Sequence, residues 1–112
     1  MALQLTDLPR PEGFERLVLA EDPAANLTAL ICLHSTVLGP AAGGCRMWPY
    51  ADRAAAIHDV TRLARGMTYK NAMAGLGLGG GKAVIIGDAR TDKTPAMMRA
   101  FGRAVEALGG TY

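Results

Sequence analysis

Gly66-Met67-Thr68-Tyr69-Lys70-Asn71-Ala72-Met73-Ala74-Gly75-Leu76-Gly77-Leu78-Gly79-Gly80-Gly81-Lys82-Ala83-Val84-Ile85-Ile86-Gly87-Asp88 is the stretch on which the fold turns. Lys70 and Lys82 bracket a run holding Gly75, Gly77, Gly79, Gly80 and Gly81. An ordinary connector needs one or two glycines, because each adds conformational freedom that folding must remove. Gly75-x-Gly77-x-x-Gly80 matches the dinucleotide fingerprint letter for letter. That fingerprint has to follow a strand and open a helix, so that the pyrophosphate meets the helix N-terminus. Here a helical pattern precedes it and an apolar strand follows. A phosphate loop is excluded as well: it requires Gly where Leu76 stands and Ser or Thr where Ala83 stands. The glycines are therefore expected to form a tight backbone cradle beside Lys82.

Upstream of this stretch, Ile57, Val60, Leu63, Ala64 and Met67 recur at steps of three and four, which predicts a helix from Arg53 to about Ala74. Asp52 is its expected N-cap and Gly75 its stop. Lys70, three residues past Met67, is placed on the same inner stripe. Downstream, Val84–Ile86 is apolar without alternation, as in a strand buried on both faces. Thr94-Pro95 opens a second helix with a capping hydroxyl and Pro in the first turn. Met97, Met98, Phe101, Val105 and Leu108 form its core face, and Gly109-Gly110 ends it.

Towards the N-terminus, Phe14–Ala20 and Leu27–His34 are strands joined by turn residues, Glu21 to Asn26, and so form an antiparallel hairpin. Its apolar strands are expected at a subunit interface. Gly43–Trp48 is a third extended segment. Residues 1–13, with Pro9, Pro11 and Gly13, read as an irregular lead-in with a helical turn near Leu3–Leu8. The sum is one α/β domain, a mixed sheet with an N-terminal antiparallel hairpin and helices packed on it, and no Rossmann domain.

Composition narrows the function. Twelve basic and ten acidic residues in 112 give a net charge of +2, too little to argue for nucleic acid or a membrane surface. The longest apolar run, Ala29–Leu33, is far too short to span a bilayer. With no export signal at the N-terminus and no metal spacing between Cys32 and Cys45, both cysteines read as free thiols of a cytoplasmic chain. No metal site and no Ser-His-Asp set is visible.

The two lysines admit two readings. A lysine on the inner stripe of a helix, near a second lysine, is destabilised by desolvation and by like charge; both lower its pKa and fit it for general base work. A lysine that keeps its proton is a point-charge receptor for a carboxylate. Divided roles of this kind suit an anionic substrate undergoing proton transfer. In the other reading Lys70 frays from a helix end and Lys82 snorkels from a strand start.

Gly39-Pro40-Ala41-Ala42-Gly43-Gly44-Cys45-Arg46-Met47-Trp48, then Arg65-Gly66-Met67-Thr68-Tyr69-Lys70, then Leu76 to Asp88 closely resemble the glutamate/leucine/phenylalanine/valine dehydrogenase family, and within it the leucine, valine and phenylalanine branch. The resemblance runs from about Leu17 to Tyr112. Ala89, where the family has Pro or Leu, is a small departure beyond the active residues. The resemblance implies that Lys82 is the catalytic lysine, which helps deprotonate the amine and activates the water that attacks the imine. It implies that Lys70 holds the substrate α-carboxylate, and that Gly43, Gly44 and Met67 line the substrate site. The implied reaction is oxidative deamination of a hydrophobic L-amino acid to its 2-oxo acid and ammonia, with hydride passing to NAD. Ala41, Ala42 and Met67 are expected to form an apolar pocket wall.

The same resemblance implies a homo-oligomer, and a nucleotide-binding domain and a catalytic aspartate that residues 1–112 do not include. The chain thus looks like the N-terminal substrate-binding and dimerisation domain alone. A non-catalytic oligomerisation or interaction module derived from such an enzyme is the alternative.

Overall fold

The structure, a computed structural model, describes residues 2–112. Its elements in chain order are β1 (Gln4–Asp7), β2 (Arg16–Asp22), β3 (Leu27–Ser35), β4 (Ala41–Ala42), β5 (Cys45–Trp48), α1 (Arg53–Met73), β6 (Gly79–Ile86) and α2 (Pro95–Ala107). The strands form a six-stranded sheet in the order β1-β2-β3-β6-β4, with β5 also on β6. β1, β2, β3 and β6 pair antiparallel in turn, whereas β4 and β5 run parallel to β6. The mixed sheet and the hairpin expected from the sequence are both present.

Alternation along the strands sends side chains to two different helices. Val18, Ala20, Ala29, Ile31, Ala83 and Ile85 pack on the face that also buries Met97, Ala100, Phe101 and Ala104 of α2. Leu17, Leu19, Leu30, Cys32 and Val84 pack on the other, with Ala56, Val60 and Ala64 of α1. This three-layer arrangement explains the unbroken apolar runs in β2, β3 and β6: each residue is inside, whichever way it points.

The helix ends obey their local sequence. Asp52 accepts from the Ala55 amide at 2.8 Å and Thr94 Oγ1 from the Met97 amide at 3.1 Å. Gly75 ends α1 with φ +72°. The Gly75 amide bonds to Ala72 O and the Leu76 amide to Asn71 O, the paired closure that a left-handed residue makes possible.

Three expectations are corrected. The lead-in forms a strand, β1, paired with β2, instead of a helical turn. Its Leu3-Gln4-Leu5-Thr6 alternation was the signal, and Leu3 and Leu5 pack against the α2-side core. The hairpin has no free strand edge to offer: β2 and β3 are paired on both sides, and Leu17 to Ala20 are almost wholly buried. The sheet edge left unpaired on that side belongs to β1. Finally, Gly79, Gly80 and Gly81 are strand residues, all buried, so β6 begins five residues earlier than Val84.

Candidate functional site

β6 lies between β3 on one side and β4 and β5 on the other, and α1 crosses it. Cys32 is the register partner of Lys82, and Cys32 faces α1. Directly paired residues share a face, so Lys82 projects on the α1 side, as do Gly80 and Val84 two residues to either side. Lys82 is half-buried. A Cβ built on Gly44 would stand 3.5 Å from Lys82 Nζ, so the ammonium rests beside the bare Gly44 backbone. At Gly43 a Cβ would come within 1.7 Å of Gly81 O and 3.3 Å of Met67 Cγ. That close approach excludes any side chain at Gly43.

Gly43, Gly44, Met67 and Lys82 are thus brought together. Lys70 is placed differently from expectation: it is exposed, and the inner position is taken by Asn71. Successive helix residues are 100° apart, so from Met67 the stripe continues more closely through the fourth residue than the third. Lys70 lies in the last turn of α1, where a cation also complements the carbonyl end of the helix. Neither lysine makes an ion pair among the described residues; every cation in the ion pairs is arginine. Ala41 is corrected too. It belongs to the α2-side core, whereas Ala42 and Met67 are half-buried.

Asn71 is the residue that sequence reasoning missed. Its side chain is buried and its Nδ2 donates to Gly79 O at 2.7 Å and to Ala42 O at 3.2 Å. One amide therefore fastens α1 to β4 and β6 at the residue that follows Lys70. An amide on an otherwise apolar stripe was the available signal. Asn71→Asp keeps the shape but sets a carboxylate against two carbonyls. Leaving a buried polar group unsatisfied costs about 1–3 kcal/mol. The expected outcome is an unfolding free energy in urea lower by at least that amount, with a lower midpoint; an unchanged midpoint would show that the amide is not a clamp.

A second tie lies one turn earlier. His34 Nδ1 and Thr68 Oγ1 are 2.7 Å apart, joining β3 to α1. Burial, and then the charge of Arg65, hold the His34 imidazole below its ordinary pKa, with Glu15 opposing. Arg46 is engaged away from the site. It lies 4.8 Å over the Trp48 ring and 3.5 Å from Asp59, which also pairs with Arg62. Cys45 retains exposed surface, yet burial of its thiol pushes the pKa up to about 11, the Lys82 charge working against that rise. It is accordingly a poor nucleophile.

Residues 15–112 match the family described as Glu/Leu/Phe/Val dehydrogenase, dimerisation domain. The chain belongs to that family. It is 54% identical over 110 residues to leucine dehydrogenase from Thermoactinomyces intermedius, covering 98% of this chain and 30% of that protein. It is 58% identical over 100 residues to valine dehydrogenase from Streptomyces coelicolor, covering 89% of this chain and 28% of the relative. Among solved structures, L-tryptophan dehydrogenase from Nostoc punctiforme superposes with a TM-score of 0.85 at 44% identity, covering 88% of this chain and 29% of its own. The chain spans about three tenths of the length of these relatives.

Proposed function

We propose that this chain supplies the substrate side of an amino-acid dehydrogenase that deaminates a hydrophobic L-amino acid to its 2-oxo acid and ammonia. The observation that carries the reading is Lys82, half-buried on an interior strand, unpaired among the described residues, with its Nζ beside the Gly44 backbone. In this reading Lys82 takes the proton from the substrate amine and activates water. Lys70 holds the α-carboxylate as a point charge, and Gly43, Gly44 and Met67 shape the floor and wall.

The wall favours an apolar side chain. Ala42 and Met67 line it, and Arg46, the nearest motif cation in sequence, is committed to Asp59 and Trp48. A side-chain carboxylate would have no partner there. Assays of the complete enzyme should rank leucine, valine or phenylalanine above glutamate in kcat/KM. Fastest turnover of glutamate would overturn the assignment.

NAD is the implied coenzyme, and the residues present do not fit it. Gly75, Gly77 and Gly80 run from the end of α1 into β6, the reverse of the strand-to-helix order that presents amides to a pyrophosphate. We therefore assign NAD binding to residues outside 1–112, which makes this chain the N-terminal part of a longer dehydrogenase. Holding the reactants together accounts for roughly 7–11 kcal/mol of a barrier in favourable cases. Residues 1–112 by themselves should bind no NAD in calorimetric titration and form no NADH with any amino acid. Steady NADH formation would overturn this division of labour.

A second reading, a non-catalytic interaction module, is favoured by Val37, Leu38, Met73 and Leu76, all apolar and exposed. It also draws on the family description as a dimerisation domain and on the open edge of β1. It predicts association without amino-acid binding. A homo-oligomer is compatible with both readings, and among the described residues no helix is long and apolar enough to cross a membrane.

A further inference from the structure

We infer that Tyr112 is a positioning residue for the candidate substrate site, fixing the Gly43–Gly44 peptide from the face opposite Lys82. The inference rests on the reading of Gly43, Gly44 and Lys70 as substrate-binding residues.

After α2 the chain turns back to β4. Thr111 Oγ1 donates to Leu108 O at 2.8 Å, and the Ala41 amide donates to Thr111 O at 2.8 Å. This return places the Tyr112 ring against the α2-side core and over Gly81, where a Cβ would meet the ring at 3.0 Å. The phenol hydroxyl then reaches two successive carbonyls, Gly43 O at 3.1 Å and Gly44 O at 2.9 Å. Having one proton, it donates to either or is shared between them.

The consequence follows from peptide geometry. No peptide bond in the described residues is cis. In a trans peptide the carbonyl of one residue and the amide of the next point in opposite directions. A Gly43 carbonyl held towards Tyr112 therefore aims the Gly44 amide away from it. Tyr112 packs with the α2-side core, whereas Lys82 lies on the α1 side, beside Gly44. The hydroxyl thus favours a donor orientation suited to an anionic group beside Lys82.

Gly44 O already accepts from the Ala83 amide at 3.2 Å, so the hydroxyl's own contribution falls on the shared Gly43–Gly44 peptide, which has no Cβ on either side to restrict its rotation. Asn71 already holds Ala42 O from the α1 side. Tyr112 adds its restraint at Gly43 O, one residue further on, and at Gly44 O joins the Ala83 amide. Burial raises the pKa of the phenol, so it remains a donor throughout the neutral range.

The test is a 1H–15N NMR titration of the purified chain with L-leucine, comparing wild type, Tyr112→Phe and Lys70→Ala. Tyr112→Phe keeps the ring and removes the hydroxyl. Loss of one hydrogen bond should weaken L-leucine binding roughly three- to ten-fold. The Gly43 and Gly44 amide peaks should move in the unliganded variant, while those of Val18, Leu30 and Ile31 stay in place. A purely structural role would instead lower the melting temperature and disturb the core peaks without selective loss of affinity. If Lys70→Ala abolishes binding while Tyr112→Phe binds as wild type, the inference fails and the substrate site stands. If Lys70→Ala binds L-leucine as wild type does, or wild type does not bind it, the site assignment fails and the inference falls with it.

Discussion

Lys82→Ala in the complete enzyme is expected to lower kcat by on the order of 10²–10⁴-fold, the range for loss of a general acid–base group. KM should change far less. Lys82 stands on β6, paired on both sides, so its backbone is fixed before any substrate arrives. Its ammonium has no carboxylate partner among the described residues, and removing it breaks no ion pair. Folding stability should therefore remain close to wild type while turnover collapses. Lys70→Ala is expected to do the reverse in kinetics. Lys70 is exposed at the end of α1 and would bind the carboxylate alike in ground and transition states, so its loss raises KM and spares kcat. Near wild-type kcat/KM in both variants would remove the two residues from the site.

What the sequence allowed one to read followed from periodicity and punctuation. α1 and α2 were legible because apolar residues recur at helical spacing and because Asp52, Thr94 and Gly75 mark their limits. β2 and β3 were legible as apolar runs around a turn. The start of β6 was not, because three glycines carry no side chains and so no pattern. Their reason lies in α1 and β3, distant in sequence. β1 was obscured by Pro9 and Pro11 just beyond it. In the candidate site, Lys82, Gly43, Gly44 and Met67 came from motifs and do meet in space. Asn71 and Tyr112 were not singled out, since their partners are backbone carbonyls of remote segments; the amide on the apolar stripe marked Asn71 only as out of place, and nothing local marked Tyr112. The burial of Lys70 was misjudged by one residue of helix phase, 100°, which suffices to exchange an inner position for an outer one.

Gly80→Ala should be among the most damaging single methyl additions available to this chain. A Cβ at Gly80 would lie 2.1 Å from both the amide nitrogen and Oγ1 of Thr68, and 2.4 Å from its Cα. Two of those atoms are backbone, so no rotamer change relieves the clash; α1 itself must lift from β6. Lifting it there strains the His34–Thr68 bond, draws Met67 from Gly43 and pulls Asn71 from Ala42 O and Gly79 O. Overpacking of a core costs typically about 1–3 kcal/mol, and a rigid backbone obstacle belongs at or above the top of that range. Gly102→Ala supplies the opposite sign. Gly102 is exposed within α2, nothing lies within 4 Å of its Cβ position, and a helical Gly→Ala exchange gains roughly 0.4–1 kcal/mol. Urea unfolding of both variants should separate them by about 3 kcal/mol or more, and the folded fraction of Gly80→Ala should bind L-leucine more weakly. If Gly80→Ala unfolds at the wild-type midpoint, α1 does not rest on the bare strand, and the placement of Met67 and Asn71 over the site loses its physical basis.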